Sequence, residues 1–134
     1  MKVILNAQAI QSISVFQNMT GSSVIDYLSE GDEIFFVVAQ GQYGLTVGKG
    51  GAKIRNAEKL FKKSIRIIEY SPDIKEFIKN IIPETQEIDV REDHIEVHVK
   101  QQDRAKVIGK GGRKIKIINQ FLGRLFGSKT LKVK

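Results

Sequence analysis

The sequence predicts an α/β chain built from two copies of one small unit, and two observations lead to this prediction. The first is a repeated glycine motif: the octapeptide 47–54 (VGKGGAKI) returns 61 residues later as 108–115 (IGKGGRKI), with six of eight positions identical. The second is that the same order of strand and helix patterns surrounds each copy. Because about 60 residues suffice for a minimal domain, the chain is interpreted as a duplication.

Each motif is preceded by a strand pattern and followed by a helix and a further strand. Residues 33–38 (EIFFVV) are rich in β-branched and aromatic residues, which predicts a buried strand, whereas 94–99 (HIEVHV) alternate, which predicts a strand with one solvent-facing side. Strands are predicted again at 65–70 and 130–133. The apolar residues at helical spacing after the two motifs are Ile54, Ala57, Leu60 and Phe61, and then Ile115, Ile118, Leu122 and Leu125.

The segments upstream of these strands complete the unit. Apolar residues from Ile10 to Met19 predict a helix with Asn6 as N-cap and Gly21 as its stop, followed by a strand at 23–27. In the second half the corresponding helix is predicted at 73–82 and the strand at 87–90. Each half therefore has the order helix, strand, strand, short helix, glycine loop, helix, strand. The predicted domains are 1–70 and 71–134, joined at Ser71-Pro72.

The charge balance favours a polyanionic partner. The 134 residues carry a net charge of +7, and the stretch from 104 to 134 has ten Lys or Arg and no Asp or Glu. Residues 71–134 carry +5 and residues 1–70 carry +2, so the second half should contribute more of the salt-sensitive affinity. The absence of Cys excludes disulfides and Cys-ligated zinc. No apolar run reaches the roughly 18 residues of a membrane span, which predicts a cytoplasmic protein without a membrane partner.

The repeated motif resembles the signature of KH domains, in which an apolar residue, Gly-x-x-Gly and a further apolar residue join two helices. The order of elements resembles the prokaryotic (type II) arrangement, which implies two tandem KH domains, each a three-stranded sheet covered by three helices. Residues 19–26 (MTGSSVID) and 44–51 (GLTVGKGG) resemble the archaeal NusA family, and the resemblance spans the chain. It implies a single-stranded RNA-binding protein acting in transcription elongation, termination or antitermination, with RNA polymerase as a further partner.

The physical chemistry of the two glycine loops agrees with RNA binding. Glycines allow an RNA backbone to approach the protein closely, and the loop precedes a helix N-terminus, where free N–H groups and the dipole favour phosphate. Lysines within the loop and cations in the first turn of the helix would add charge. The predicted RNA-binding residues are Gly48, Lys49, Gly50, Gly51, Lys53, Arg55, Gly109, Lys110, Gly111, Gly112, Arg113 and Lys114.

By the same resemblance, an apolar groove floor would hold the bases. For its aliphatic members, packing in the ordinary core is the alternative interpretation. Aromatic residues make up 7% of the chain, which argues against the aromatic stacking platforms of RRM and OB-fold proteins. The implied floor positions are Val47, Ile54, Ile67, Ile108, Ile115 and Lys132.

The sequence contains no motif that indicates catalysis or cofactor binding. Neither glycine loop has the spacing of a P-loop or of the dinucleotide fingerprint, so we expect no cofactor and no enzyme. His94, Glu96 and His98 share one strand face, but a solvent-facing strand explains them better than a metal site. Two other functions remain open: a ribosomal-RNA-binding assembly or scaffold protein, and a nucleotide binder that uses the glycine loops.

Overall fold

The computed structural model describes residues 6–127 and 130–134, which form two compact units, one ending at Pro72 and the other beginning at Asp73. Both units have the predicted order of elements. In the first unit these are α1 (Ala7–Thr20), β1 (Val24–Glu30), β2 (Glu33–Val38), α2 (Tyr43–Val47), α3 (Ala52–Phe61) and β3 (Ser64–Glu69). In the second they are α4 (Ile74–Ile81), β4 (Glu87–Val90), β5 (His94–His98), α5 (Gln101–Ile108), α6 (Arg113–Phe126) and β6 (Thr130–Val133).

The sheet of the first unit has the strand order β1-β2-β3. Strands β1 and β2 are antiparallel and meet at Glu30 and Glu33, so a two-residue turn closes the hairpin. Strand β1 continues past the predicted end at residue 27, because pairing with β2 holds the polar residues Ser29 and Glu30 in the ladder. Strand β3 is parallel to β2, and helices α2 and α3 form the crossover that a parallel pair requires.

The sheet of the second unit repeats this topology in the order β4-β5-β6, with an antiparallel pair followed by a parallel one. Helices α5 and α6 form its crossover. Each unit therefore has a three-stranded mixed sheet and three helices. This confirms the predicted fold class, an α/β chain of two type II KH units.

The two central strands differ in the way that their sequences predict. In β2 every residue after Glu33 is buried, whereas β5 alternates between buried and half-buried residues. The core of the first unit is centred on Phe36, whose ring stacks on that of Phe16 with centroids 3.8 Å apart. The apolar sequence of β2 and the alternating sequence of β5 therefore predicted the burial of both strands correctly.

The helices that begin each unit have side-chain caps. Asn6 accepts a hydrogen bond from the backbone N–H of Ala9 at 2.7 Å, and Asp73 accepts one from Lys75 at 3.0 Å. Helix α1 ends at Gly21, whose φ of 79° lies in the left-handed region. The predicted N-cap and stop of α1 are thus confirmed. In the part of the chain that the structure describes, no helix combines the length and apolar character needed to cross a membrane.

Candidate nucleic-acid interface

The two glycine loops have nearly the same backbone conformation. Gly48 has φ 78° and ψ 170°, and Gly109 has φ 80° and ψ 165°. The third loop position also agrees, with φ 61° and ψ 20° at Gly50 and φ 64° and ψ 21° at Gly111. The backbone N–H of Gly51 donates to the carbonyl of Gly48 at 3.0 Å, and the corresponding bond to Gly109 is 3.1 Å. The repeated sequence therefore folds into one repeated structure.

The first and third residues of each loop, which are glycines, differ in the space around them. A Cβ at Gly109 would lie 2.8 Å from the backbone nitrogen of Lys114, so no side chain fits there. At Gly48 a Cβ would lie 2.6 Å from Cγ of Lys53. At Gly50 and Gly111, in contrast, a Cβ would meet nothing within 4 Å. The first glycine of each loop packs against the following helix, while the third lies at an open corner that a ligand can approach.

Each loop leads directly into a helix whose N-terminus has no side-chain cap. The N-cap residues are Gly51 for α3 and Gly112 for α6, and neither has a side chain to accept a backbone N–H. The first turn of each helix contains no acidic residue. The N–H groups of Ala52 and Arg113 donate to the loop carbonyls of Lys49 and Lys110. The N–H groups further along the first turn receive no side-chain cap of the kind that Asn6 and Asp73 supply to α1 and α4, and a phosphate oxygen is a suitable acceptor for them.

In the first loop, two of the predicted RNA-binding cations bond to the protein itself. The ammonium of Lys53 donates to the carbonyls of Thr20 at 2.8 Å and Leu45 at 3.1 Å, and thereby joins the C-terminus of α1 to α2. The guanidinium of Arg55 donates to the carbonyl of Gly50 and braces the loop. Lys49 is exposed, and its ammonium group makes no hydrogen bond or ion pair with the described residues.

In the second loop, the side chains of the predicted cations make no hydrogen bond to the part of the chain that the structure describes. Lys110 and Arg113 are exposed and Lys114 is half-buried, and none of the three side chains has a hydrogen bond or ion pair within the described ranges. Nearby, Lys106 donates to Glu84 at 3.0 Å. Burial alone would raise the pKa of Glu84, but the hydrogen bond from Lys106 and the charges of Lys106 and Lys114 outweigh it and lower the pKa below its usual range.

The aliphatic positions implied as a groove floor are neither fully buried nor fully exposed. Val47 and Ile108, which precede the loops, are half-buried, and so is Ile115. Ile54 and Ile67 are half-buried and pack against the core of the first unit. Lys132 is exposed on β6. Partial exposure is compatible with both a groove floor and the edge of the core, so the floor assignment stays a prediction.

The polar face of the second sheet contains a residue that the sequence reasoning missed. Asp89 on β4 lies beside His98, with 3.3 Å between Oδ2 and Nε2, and together with Glu96 these side chains bring three potential metal ligands together. Arg91 lies 3.7 Å from the Glu96 carboxylate and 3.9 Å from that of Asp89, so a cation already balances them. We propose no metal site here. The register of β4 against β5 pairs Asp89 with Glu96, and a prediction of that register would have placed Asp89 beside the two histidines' strand face.

His94 is expected to titrate above its ordinary pKa of 6.5. Its Nε2 lies 2.8 Å from Glu96 and its Nδ1 lies 2.7 Å from Asp93, and two carboxylates facing both ring nitrogens favour the imidazolium. Because the folded pKa is raised, the stability from this contact is fully present below about pH 6.5 and is lost as pH rises through the folded pKa. NMR titration of the two histidines measures this directly. Glu96→Gln should lower the pKa of His94, and a wild-type value at or below 6.5 would contradict the account.

Comparison with known proteins agrees with this geometry. The two units, each with a glycine loop between two helices, define a KH-domain protein, and the KH domain family model matches residues 11–84. The chain is 40% identical to the "Probable transcription termination protein NusA" of Methanococcus vannielii, over 99% of this chain and 80% of that one. A protein of the same name from Halobacterium salinarum is 27% identical over 94% of both chains. The crystal structure of APE1850 matches with a TM-score of 0.79 and 28% identity, covering 97% of this chain and 100% of that chain. The protein therefore belongs to the archaeal NusA family of KH-domain proteins.

Proposed function

We propose that this protein binds single-stranded RNA through its two glycine loops. The observation that carries the proposal is the duplicated loop, which twice places an exposed lysine beside a helix N-terminus that has no side-chain cap. A KH loop clamps the backbone of about four nucleotides. The proposed contacts are the loop residues 48–51 and 109–112, with Arg113 and Lys114 beside the second loop. Lys53 and Arg55 have a structural role besides any contact with RNA, since Lys53 joins α1 to α2 and Arg55 bonds to the loop carbonyl of Gly50.

We further propose that the RNA bound is a transcript and that the protein acts during transcription elongation or termination. The names of the relatives from Methanococcus vannielii and Halobacterium salinarum support this role. Membership of a KH family supports a binding protein rather than an enzyme. RNA polymerase is the protein partner that this role suggests, and a cytoplasmic location stays a prediction from the sequence.

The experiment that tests RNA binding compares unpaired and paired RNA of the same sequence. We expect an unstructured RNA of about 12 nucleotides to bind at least about tenfold more tightly than its duplex, because a KH groove accepts unstacked bases that a duplex keeps paired. Fluorescence anisotropy at two salt concentrations measures both affinities. Affinity should fall as salt rises, with a slope of about −0.7 in log–log form for each phosphate neutralised.

The same experiment separates the alternative functions. Equal or tighter binding of the duplex would contradict a single-strand groove and would favour the ribosomal-RNA scaffold. Binding of ATP or GTP in competition with the RNA would favour the nucleotide binder. Single-stranded DNA of the corresponding sequence, with deoxyuridine in place of thymidine, is the matched control, because it carries the same phosphates and bases without the 2′-hydroxyl groups.

A further inference from the structure

The helices that precede the two matching loops differ in sequence, and one of the differences exchanges an aromatic residue for a cation. Helix α2 of the first unit begins with Tyr43, whose side chain is 51% exposed. The residue 61 positions later is Arg104, which is also exposed and lies in helix α5 of the second unit. An exposed aromatic ring therefore occupies, in one unit, the position that a cation occupies in the other.

Tyr43 lies in the helix that ends directly before the first loop. Tyr43 and Val47 are four residues apart in α2 and share one face of the helix. Val47 is half-buried and directly precedes Gly48, so this face leads from the loop to the ring. The backbone N–H of Tyr43 donates to the Glu69 carboxylate at 3.0 Å, which ties the start of α2 to β3, the edge strand of the sheet.

A carboxylate beside Tyr43 makes this position unfavourable for a phosphate group. The Glu69 carboxylate at the start of α2 repels an anion at that end of the helix. Lys53 and Arg55 keep their positive charge, but their side chains are bonded to backbone carbonyls, on Thr20 and Leu45 and on Gly50. An exposed aromatic ring beside a carboxylate is suited to the face of a base rather than to its phosphate.

We propose that Tyr43 stacks on an RNA base next to the first loop. The first unit then adds a base contact to the phosphate contacts of its loop, and the second unit adds phosphate charge from Arg113 and Lys114 to those of its own loop. The inference rests on the proposed RNA binding and assigns a different additional RNA contact to each unit. Because every base has a π-face, such a contact strengthens binding without selecting a sequence.

The test measures the affinity and salt dependence of a roughly 12-nucleotide single-stranded RNA by fluorescence anisotropy. Tyr43→Ala should weaken binding by about 5- to 100-fold and leave the salt slope unchanged, because a stacked base carries no charge. Tyr43→Phe keeps the ring and should restore most of the lost affinity. Tyr43→Arg imitates the second unit and should steepen the salt slope by about 0.7.

The matched control is Leu60→Ala, since Leu60 is 58% exposed in the same unit and lies at the far end of α3 from the loop. Its affinity should equal that of the wild type. If Tyr43→Ala also binds as tightly as the wild type while the glycine loops prove essential, the stacking proposal is wrong and the proposed function stands. If the wild type binds no RNA, both are wrong. A reduced salt slope in Tyr43→Ala would show an effect on charge and would also overturn the stacking proposal.

Discussion

Replacing Phe36 with alanine is expected to lower the free energy of unfolding of the first unit by about 3–5 kcal/mol. The ring is fully buried in the central strand of the sheet, where it stacks on Phe16. It also lies 5.4 Å from the ring of Tyr27 and 6.3 Å from that of Phe61. Removing it would leave a cavity between the sheet and α1 as well as three aromatic contacts unmade.

Urea denaturation of the full chain measures this loss. The three tyrosines of the chain are Tyr27, Tyr43 and Tyr70, and all lie in the first unit, so tyrosine fluorescence reports on that unit alone. Leu60→Ala is the control, and because Leu60 is exposed its effect should stay within about 0.5 kcal/mol. A loss below about 1 kcal/mol for Phe36→Ala would contradict the assigned core.

Reversing the charge of both loops is expected to weaken RNA binding by at least about 100-fold. The variant combines Lys49→Asp and Gly50→Asp with Lys110→Asp and Gly111→Asp. A hydrogen bond to a charged group contributes about 1.5–3 kcal/mol, so losing a phosphate contact in each loop corresponds to about 10- to 100-fold per loop. Aspartate fits sterically, since a Cβ at Gly50 or Gly111 meets nothing within 4 Å.

The control for charge reversal places asparagine at the same four positions. Gly50 and Gly111 have positive φ, and both Asn and Asp adopt that conformation at modest cost. The asparagine variant therefore imposes the same backbone demand without the negative charges. We expect it to bind RNA more weakly than the wild type and more tightly than the aspartate variant. Circular dichroism of both variants should match that of the wild type.

The loops and the order of elements could be predicted because their signals are local or repeated. The octapeptide at 47–54 returned in the same context of strand and helix patterns, and the structure gives both copies the same backbone angles. The continuous apolar run at 34–38 and the alternating run at 94–99 each indicated which faces of the strand are buried. Such patterns depend on the spacing of residues and not on distant contacts.

The roles of individual cations could not be predicted, because they depend on groups far away in the sequence. Lys53 matches Lys114 in the repeat, yet it bonds to the carbonyl of Thr20, 33 residues earlier. Arg55 bonds to the loop that it was predicted to assist. The proposed contact of Tyr43 with RNA was not predicted either, because the low overall aromatic content does not show that one ring is exposed beside a loop. Sequence repetition identified the loops. Tertiary contacts are needed to distinguish the cations whose side chains bond to backbone carbonyls from those whose side chains have no such bond.

The measurement that tests the central claim most directly is anisotropy binding of a single-stranded RNA to the wild type and to the two-loop aspartate variant, at two salt concentrations. The account predicts salt-dependent binding by the wild type, intermediate binding when either loop alone is changed, and loss of at least about 100-fold when both are changed. If the folded two-loop variant bound as tightly as the wild type, the glycine loops would be structural turns, and RNA would have to bind elsewhere on the protein.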